Sequence, residues 1–120
     1  MADQKQILIC EDEKPLSHAL ELKLQSEGFA TVVAANGQEA LDHLKDGHFD
    51  LMLLDLMMPT VDGFQVLQKM KDLPNQPIVF VLSNLSQHED EERVMALGAK
   101  KFFIKSDTPL SVIVEEAKKI

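Results

Sequence analysis

Leu51-Met52-Leu53-Leu54-Asp55-Leu56-Met57-Met58-Pro59-Thr60-Val61-Asp62-Gly63 is the stretch on which the fold turns. Four apolar residues run into a carboxylate, three more follow, and Pro59 and Asp62-Gly63 supply turn chemistry. So short an apolar run, bounded by turn residues, predicts a buried strand, here over 49 to 54. Asp55 then stands where that strand leaves the core. A charge there is costly unless something pairs with it or coordinates it.

Outward from this strand the chain alternates. Residues 6 to 10, 29 to 35, 78 to 82 and 100 to 104 are further apolar runs read as strands, with Ile78-Val79-Phe80-Val81-Leu82 the most continuous. Between them lie segments of helical spacing. Leu16, Ala19, Leu20, Leu22 and Leu24 follow Pro15 and stop at Gly28. Ala40, Leu41 and Leu44 lie between Asn36-Gly37 and Gly47, and Phe64, Val66, Leu67, Met70 and Leu73 run up to Pro74. A fourth helix is expected over about 88 to 97, capped by Ser86 or Gln87 and ended by Gly98. Residues 105 to 108 read as a loop and Pro109 to Ile120 as the last helix. Strict alternation with strongly apolar strands implies a parallel sheet covered on both faces, with right-handed crossovers.

Composition narrows the function. The 120 residues fit one domain with one good core, and 45% are apolar. A net charge of −8, a pI near 4.8 and the lack of Trp and Tyr argue against direct nucleic-acid binding and favour basic partners or cations. The single cysteine, Cys10, lies in an apolar strand and reads as a small buried hydrophobe. With neither an apolar leader nor a membrane-length run, the expected location is the cytoplasm, with no membrane contact.

In a parallel sheet every strand-to-helix loop lies on the carboxyl edge, where open α/β folds place ligands. The polar residues just past the strand ends are Glu11 and Asp12, Asn36, Asp55, Ser83 and Lys105. Taken singly, each has an ordinary explanation as a solvated acid run, a turn residue, a helix cap or a surface lysine. Their common topological position argues for a shared task. Crowded carboxylates raise one another's pKa, and a hard divalent cation relieves the conflict. Mg²⁺ takes one or two carboxylates and completes its shell with water and phosphate oxygens. Asp55 is then free to act as a nucleophile toward phosphorus, with the metal, the Lys105 ammonium and the Ser83 hydroxyl offsetting charge on the phosphoryl oxygens.

The pattern resembles the receiver domain of two-component response regulators, the CheY-like superfamily, over essentially the whole chain. The resemblance is carried by Glu11-Asp12, Asp55, Pro59, Gly63, Ser83, Leu97-Gly98-Ala99 and Lys105. It implies one receiver domain over 1–120 with a flavodoxin-like fold, five parallel strands in the order 2-1-3-4-5 and five helices. It implies Asp55 as phosphoacceptor from a sensor histidine kinase and as a metal ligand, Asp12 as a direct Mg²⁺ ligand (Mn²⁺ serving as well), Glu11 acting through metal-bound water, and the Met57 backbone carbonyl completing the protein ligands. Ser83 and Phe102 correspond to the switch residues. The segment from about 84 to 120 corresponds to the surface that addresses an output domain or downstream protein, and it is a candidate for homodimerisation on phosphorylation. On this reading the chain is a regulatory phosphoacceptor and not an enzyme with an external substrate.

Several positions depart from the family pattern. Glu11 stands where Asp is usual, Asn84 where a small residue is usual, and Ser106 where Pro commonly follows the lysine. A trans Lys105–Ser106 bond is therefore expected. Met57 and Leu85, two residues after Asp55 and Ser83, are apolar and offer an attacking water no hydrogen bond, so a long-lived phosphoryl group is expected. Two rival readings remain: an interaction module that works without phosphorylation, and a phosphatase using Asp55 as a turnover nucleophile. Met57 stands where such phosphatases usually carry a second acid.

Overall fold

The computed structural model describes residues 4–84 and 88–120. Five strands, β1 (Gln6–Cys10), β2 (Ala30–Ala34), β3 (Leu51–Asp55), β4 (Ile78–Ser83) and β5 (Lys101–Ile104), alternate with five helices, α1 (Lys14–Ser26), α2 (Gly37–Asp46), α3 (Gly63–Met70), α4 (His88–Ala96) and α5 (Leu110–Ala117). The sheet is parallel throughout, in the order β2-β1-β3-β4-β5. The parallel sheet is the one expected from the strict alternation, and its flavodoxin-like strand order is the one the receiver-domain resemblance implies.

Period-two alternation divides the core between the two faces of the sheet. Leu8, Cys10, Met52, Leu54, Val79 and Val81 face α2, α3 and α4, packing with Ala40, Leu41, Leu44, Val66, Leu67, Met70 and Val94. Ile7, Ile9, Leu51, Leu53, Phe80 and Leu82 face α1 and α5, packing with Leu20, Leu24, Ile113, Val114 and Ala117. On this second face the Phe80 and Phe103 rings meet edge to face at 5.8 Å. β3 sits centrally and all five of its residues are buried.

Most boundaries move by a residue or two from those expected. β3 runs from 51 to 55, not 49 to 54, because the Asp55 backbone still pairs with Leu82. The carboxylate thus belongs to the rigid strand and not to the loop after it. β4 likewise extends to Ser83. α3 starts at Gly63 under a capping box, in which Asp62 Oδ1 accepts from the Gln65 N–H (2.9 Å) and Gln65 Oε1 accepts from the Asp62 N–H (3.0 Å). Residues 105–107 form a 3₁₀ turn where a loop was expected, and Pro109 is the cap of α5 rather than its first residue. The expected caps of α4, Ser86 and Gln87, lie outside the described residues.

Candidate functional site

Strand register brings the chemistry to one level. Cys10 pairs with Leu54 and Asp55 with Leu82, while Ser83 pairs with Ile104. Glu11 therefore follows its strand beside Asp55, and Lys105 follows its strand one step beyond Ser83. One oxygen each from Glu11, Asp12 and Asp55 lies within 4.8 Å of the others. Glu11 and Asp55 are buried and Asp12 is exposed, so the cluster opens to solvent on the Asp12 side.

Lys105 reaches across the sheet edge to two of these acids. Its Nζ lies 2.5 Å from Glu11 Oε1 and 3.1 Å from Asp55 Oδ2. The second contact is a hydrogen bond donated to Asp55. The first is close in distance but poorly directed, and the buried Glu11 Oε1 accepts no aligned hydrogen bond. The other two carboxylate oxygens are held by backbone: Glu11 Oε2 accepts from the Glu13 N–H at 3.2 Å, and Asp55 Oδ1 from the Met57 N–H at 3.1 Å.

Burial and the neighbouring Asp55 outweigh the lysine at Glu11, whose pKa is pushed up to about 7. Lys105 loses hydration too, but Glu11 and Asp55 together hold its pKa above the ordinary lysine value. Cys10, fully buried beside Glu11, is pushed far up and is an unreactive thiol.

The donor set suits Mg²⁺. It is all oxygen, it carries more negative charge than one lysine balances, and it includes a buried oxygen with no aligned donor. Glu11, Asp12 and Asp55 are the side chains that would hold the ion.

The loop between β3 and α3 is shaped by close approach. Gly63 N–H donates to the Leu56 carbonyl at 3.0 Å, and a Cβ on Gly63 would fall 2.7 Å from the Asp55 carbonyl oxygen. Any larger residue would press on the strand end that carries Asp55. Thr60 has φ 70°, and among the described residues it is the one non-glycine in the left-handed region. It is the centre of a three-residue turn in which the Val61 N–H donates to the Pro59 carbonyl at 2.9 Å.

Ser83 is fully buried at the end of β4. Phe102 is half-buried and packs with the α2–α4 face of the core. Met57 is 61% exposed at the mouth of the site, beside an apolar hollow of about 350 Å³ lined by Leu56, Met58, Asp62 and Phe64. Leu85 lies outside the described residues. Lys105–Ser106 is trans, as expected, there being no cis peptide among the described residues. The sequence reading set Lys105 across the crevice but missed its contact with Glu11. The available signal was the extra methylene of Glu over Asp, which extends the carboxylate farther from the backbone.

Comparison with known proteins adds a name to this geometry. Residues 7–115 match the response regulator receiver domain family. The chain belongs to that family. As a receiver domain it is a regulatory module of two-component signalling. It is 36% identical over 106 residues to a probable transcriptional regulator, ycf27, of Porphyridium aerugineum, covering 88% of this chain and 44% of that protein. It thus spans less than half the length of this relative. Among solved structures, a CheY-like receiver domain from Methanospirillum hungatei superposes with a TM-score of 0.90 over 98% of this chain and 93% of that one, at 23% identity. The Thermotoga maritima response regulator TrrA, solved in complex with Mg²⁺–BeF, superposes with a TM-score of 0.83 over 97% and 98%, at 29% identity. No helix among the described residues is long and apolar enough to cross a membrane.

Proposed function

We propose that this receiver domain is a Mg²⁺-dependent phosphoacceptor in which Asp55 takes a phosphoryl group from a phosphohistidine of a sensor histidine kinase. The observation that carries the reading is the meeting of the Glu11, Asp12 and Asp55 oxygens within 4.8 Å, with the Lys105 ammonium bonded to Asp55. An Asp55 carboxylate oxygen attacks phosphorus, the P–N bond breaks, and the leaving imidazole takes up a proton. When bound, Mg²⁺ would neutralise charge on the phosphoryl oxygens. Lys105 supplies the protein's own positive charge at the same place, and Asp12, Asp55 and the Met57 carbonyl would hold the metal, with Glu11 in their support. Ser83 and Phe102 then relay the modified state to the surface formed by 84 to 120, which addresses an output domain, a downstream protein or a second copy. The likeness to TrrA, solved with Mg²⁺–BeF, supports the metal and phosphoryl assignments.

Incubation with acetyl phosphate and Mg²⁺ tests the assignment by intact mass. Wild type should gain one phosphoryl group, whereas Asp55→Asn should gain none. Uptake by the Asn variant would remove Asp55 from the mechanism. The exposed, apolar Met57 supports slow loss of the phosphoryl group, because it cannot orient water. Met57→Asn should therefore shorten its lifetime, and an unchanged decay rate would overturn that part.

A further inference from the structure

The loop carrying Met57 rests on the first residue of α2. Gly37 has no need of glycine's conformational freedom, since it is not among the residues with positive φ. What excludes a side chain there is space. A Cβ at position 37 would fall 1.9 Å from the Val61 carbonyl oxygen and 2.7 Å from both the Val61 carbonyl carbon and Cβ. Two of these three atoms are backbone, so rotation of a side chain cannot relieve the overlap.

Neither side of the contact yields easily. On the α2 side, Asn36 Oδ1 accepts from the Glu39 N–H at 2.9 Å, and Glu39 Oε1 accepts from the Ala35 N–H at 3.2 Å. These bonds fix the helix start. On the loop side, Val61 is buried in one cluster with Ala40 and Leu41 of α2. It closes the turn on Thr60, and Gly63 closes the loop onto Leu56 two residues later.

We infer that Gly37 is a positioning residue for phosphoryl acceptance, setting the depth at which the 57–62 loop sits and hence where the Met57 carbonyl stands relative to Asp55 and Asp12. This rests on the proposed roles of Met57 and Asp55. Restoring an ordinary contact would lift Val61 by about 1.5 Å. A displacement of about that size at a reacting centre costs on the order of 100-fold.

The test is Gly37→Ala, with Gly47→Ala as control, since a Cβ at position 47 would meet its nearest atoms at an ordinary 3.5 Å. MgCl₂ is titrated into metal-free protein and followed by backbone amide NMR. Expected for Gly37→Ala are displaced amide resonances for Met57 through Gly63 before any metal is added, a Mg²⁺ dissociation constant raised at least ~10-fold, and phosphorylation by acetyl phosphate slowed on the order of 100-fold. Helix propensity alone would make this variant more stable and leave Mg²⁺ binding untouched. Wild-type Mg²⁺ affinity in Gly37→Ala, or an equal loss in Gly47→Ala, overturns the inference. Should Gly37→Ala not fold, Val61→Ala decides. It loosens the same seat, and unchanged Mg²⁺ affinity there overturns the inference while a several-fold loss upholds it. Failure of wild type to accept phosphoryl would sink the phosphoacceptor reading. The metal-free resonances would still report whether Gly37 sets the loop.

Discussion

Two glutamates of this chain each touch a lysine, and their acidities move in opposite directions. Glu116, on α5, contacts Lys101 and Lys119, each at 3.0 Å, and its pKa is lowered by those hydrogen bonds. Glu11 lies 2.5 Å from Lys105, and its pKa is raised. Glu116 keeps part of its surface in water and has two lysines to itself, so their hydrogen bonds outweigh its burial. Glu11 loses its water, shares its lysine with Asp55 and keeps one oxygen without an aligned donor. Contact with an opposite charge therefore does not by itself settle a carboxylate; the hydration surrendered to make the contact decides the sign. A surplus of buried negative charge, unfavourable in the metal-free chain, is what a divalent cation can relieve.

The contrast is tested most severely by removing the shared lysine. Lys105→Met leaves Glu11 and Asp55 facing each other without a cation. It should cost about 3 kcal/mol of stability at pH 8 in metal-free urea unfolding, and less at pH 5 where Glu11 is neutral. Equal losses at both pH values would show that Lys105 stabilises by packing alone.

Next in size is the pH dependence of Glu11 itself. Its pKa is raised from the ordinary glutamate value of 4.5 to about 7 in the folded chain. The folded state therefore binds the proton more tightly, and the contribution of Glu11 to stability is greatest below the lower value. That contribution should be lost as pH rises from 4.5 to 7. The metal-free melting temperature of wild type relative to Glu11→Gln should fall across this window and then level. A flat difference would place Glu11 among ordinary exposed carboxylates.

A smaller effect separates the two causes at Glu11. Asp55→Asn removes the neighbouring charge but not the burial, so the Glu11 titration followed by carboxyl NMR should move down and remain above the ordinary glutamate range. An unmoved midpoint would assign the whole shift to burial. The smallest effect belongs to the surface. Lys118 bridges Glu27 at 3.0 Å and Glu115 at 3.3 Å. Lys118→Ala should leave the melting temperature unchanged at physiological salt, because exposed pairs are screened. A clear drop would mean that the α1–α5 seam is held by charge rather than by Leu24, Val114 and their neighbours.

Much of this molecule was legible along the chain, for identifiable reasons. Short continuous apolar runs separated by helical spacing prescribe a covered parallel sheet. That topology alone sends Glu11, Asp12, Asp55, Ser83 and Lys105 to one edge, because strand direction is shared. Strand ends were less legible. Asp55 is polar in side chain but still pairs through its backbone, and hydropathy sees only the side chain. The capping box of Asp62 and Gln65 was readable in principle, as an Asp three residues before a Gln, but the neighbouring glycine made Asp62 look like a turn residue.

What sequence alone determined is the set of groups and the edge on which they gather, since both follow from local periodicity and chain direction. Only the tertiary structure decided how those groups share charge: that Lys105 serves two acids, that Glu11 keeps a buried oxygen without an aligned donor, and that Gly37 is glycine for want of space against Val61. These are matters of distance between residues as far as 94 positions apart, between Glu11 and Lys105. Electrostatics and close packing depend on such separations in space, which no spacing along the chain encodes.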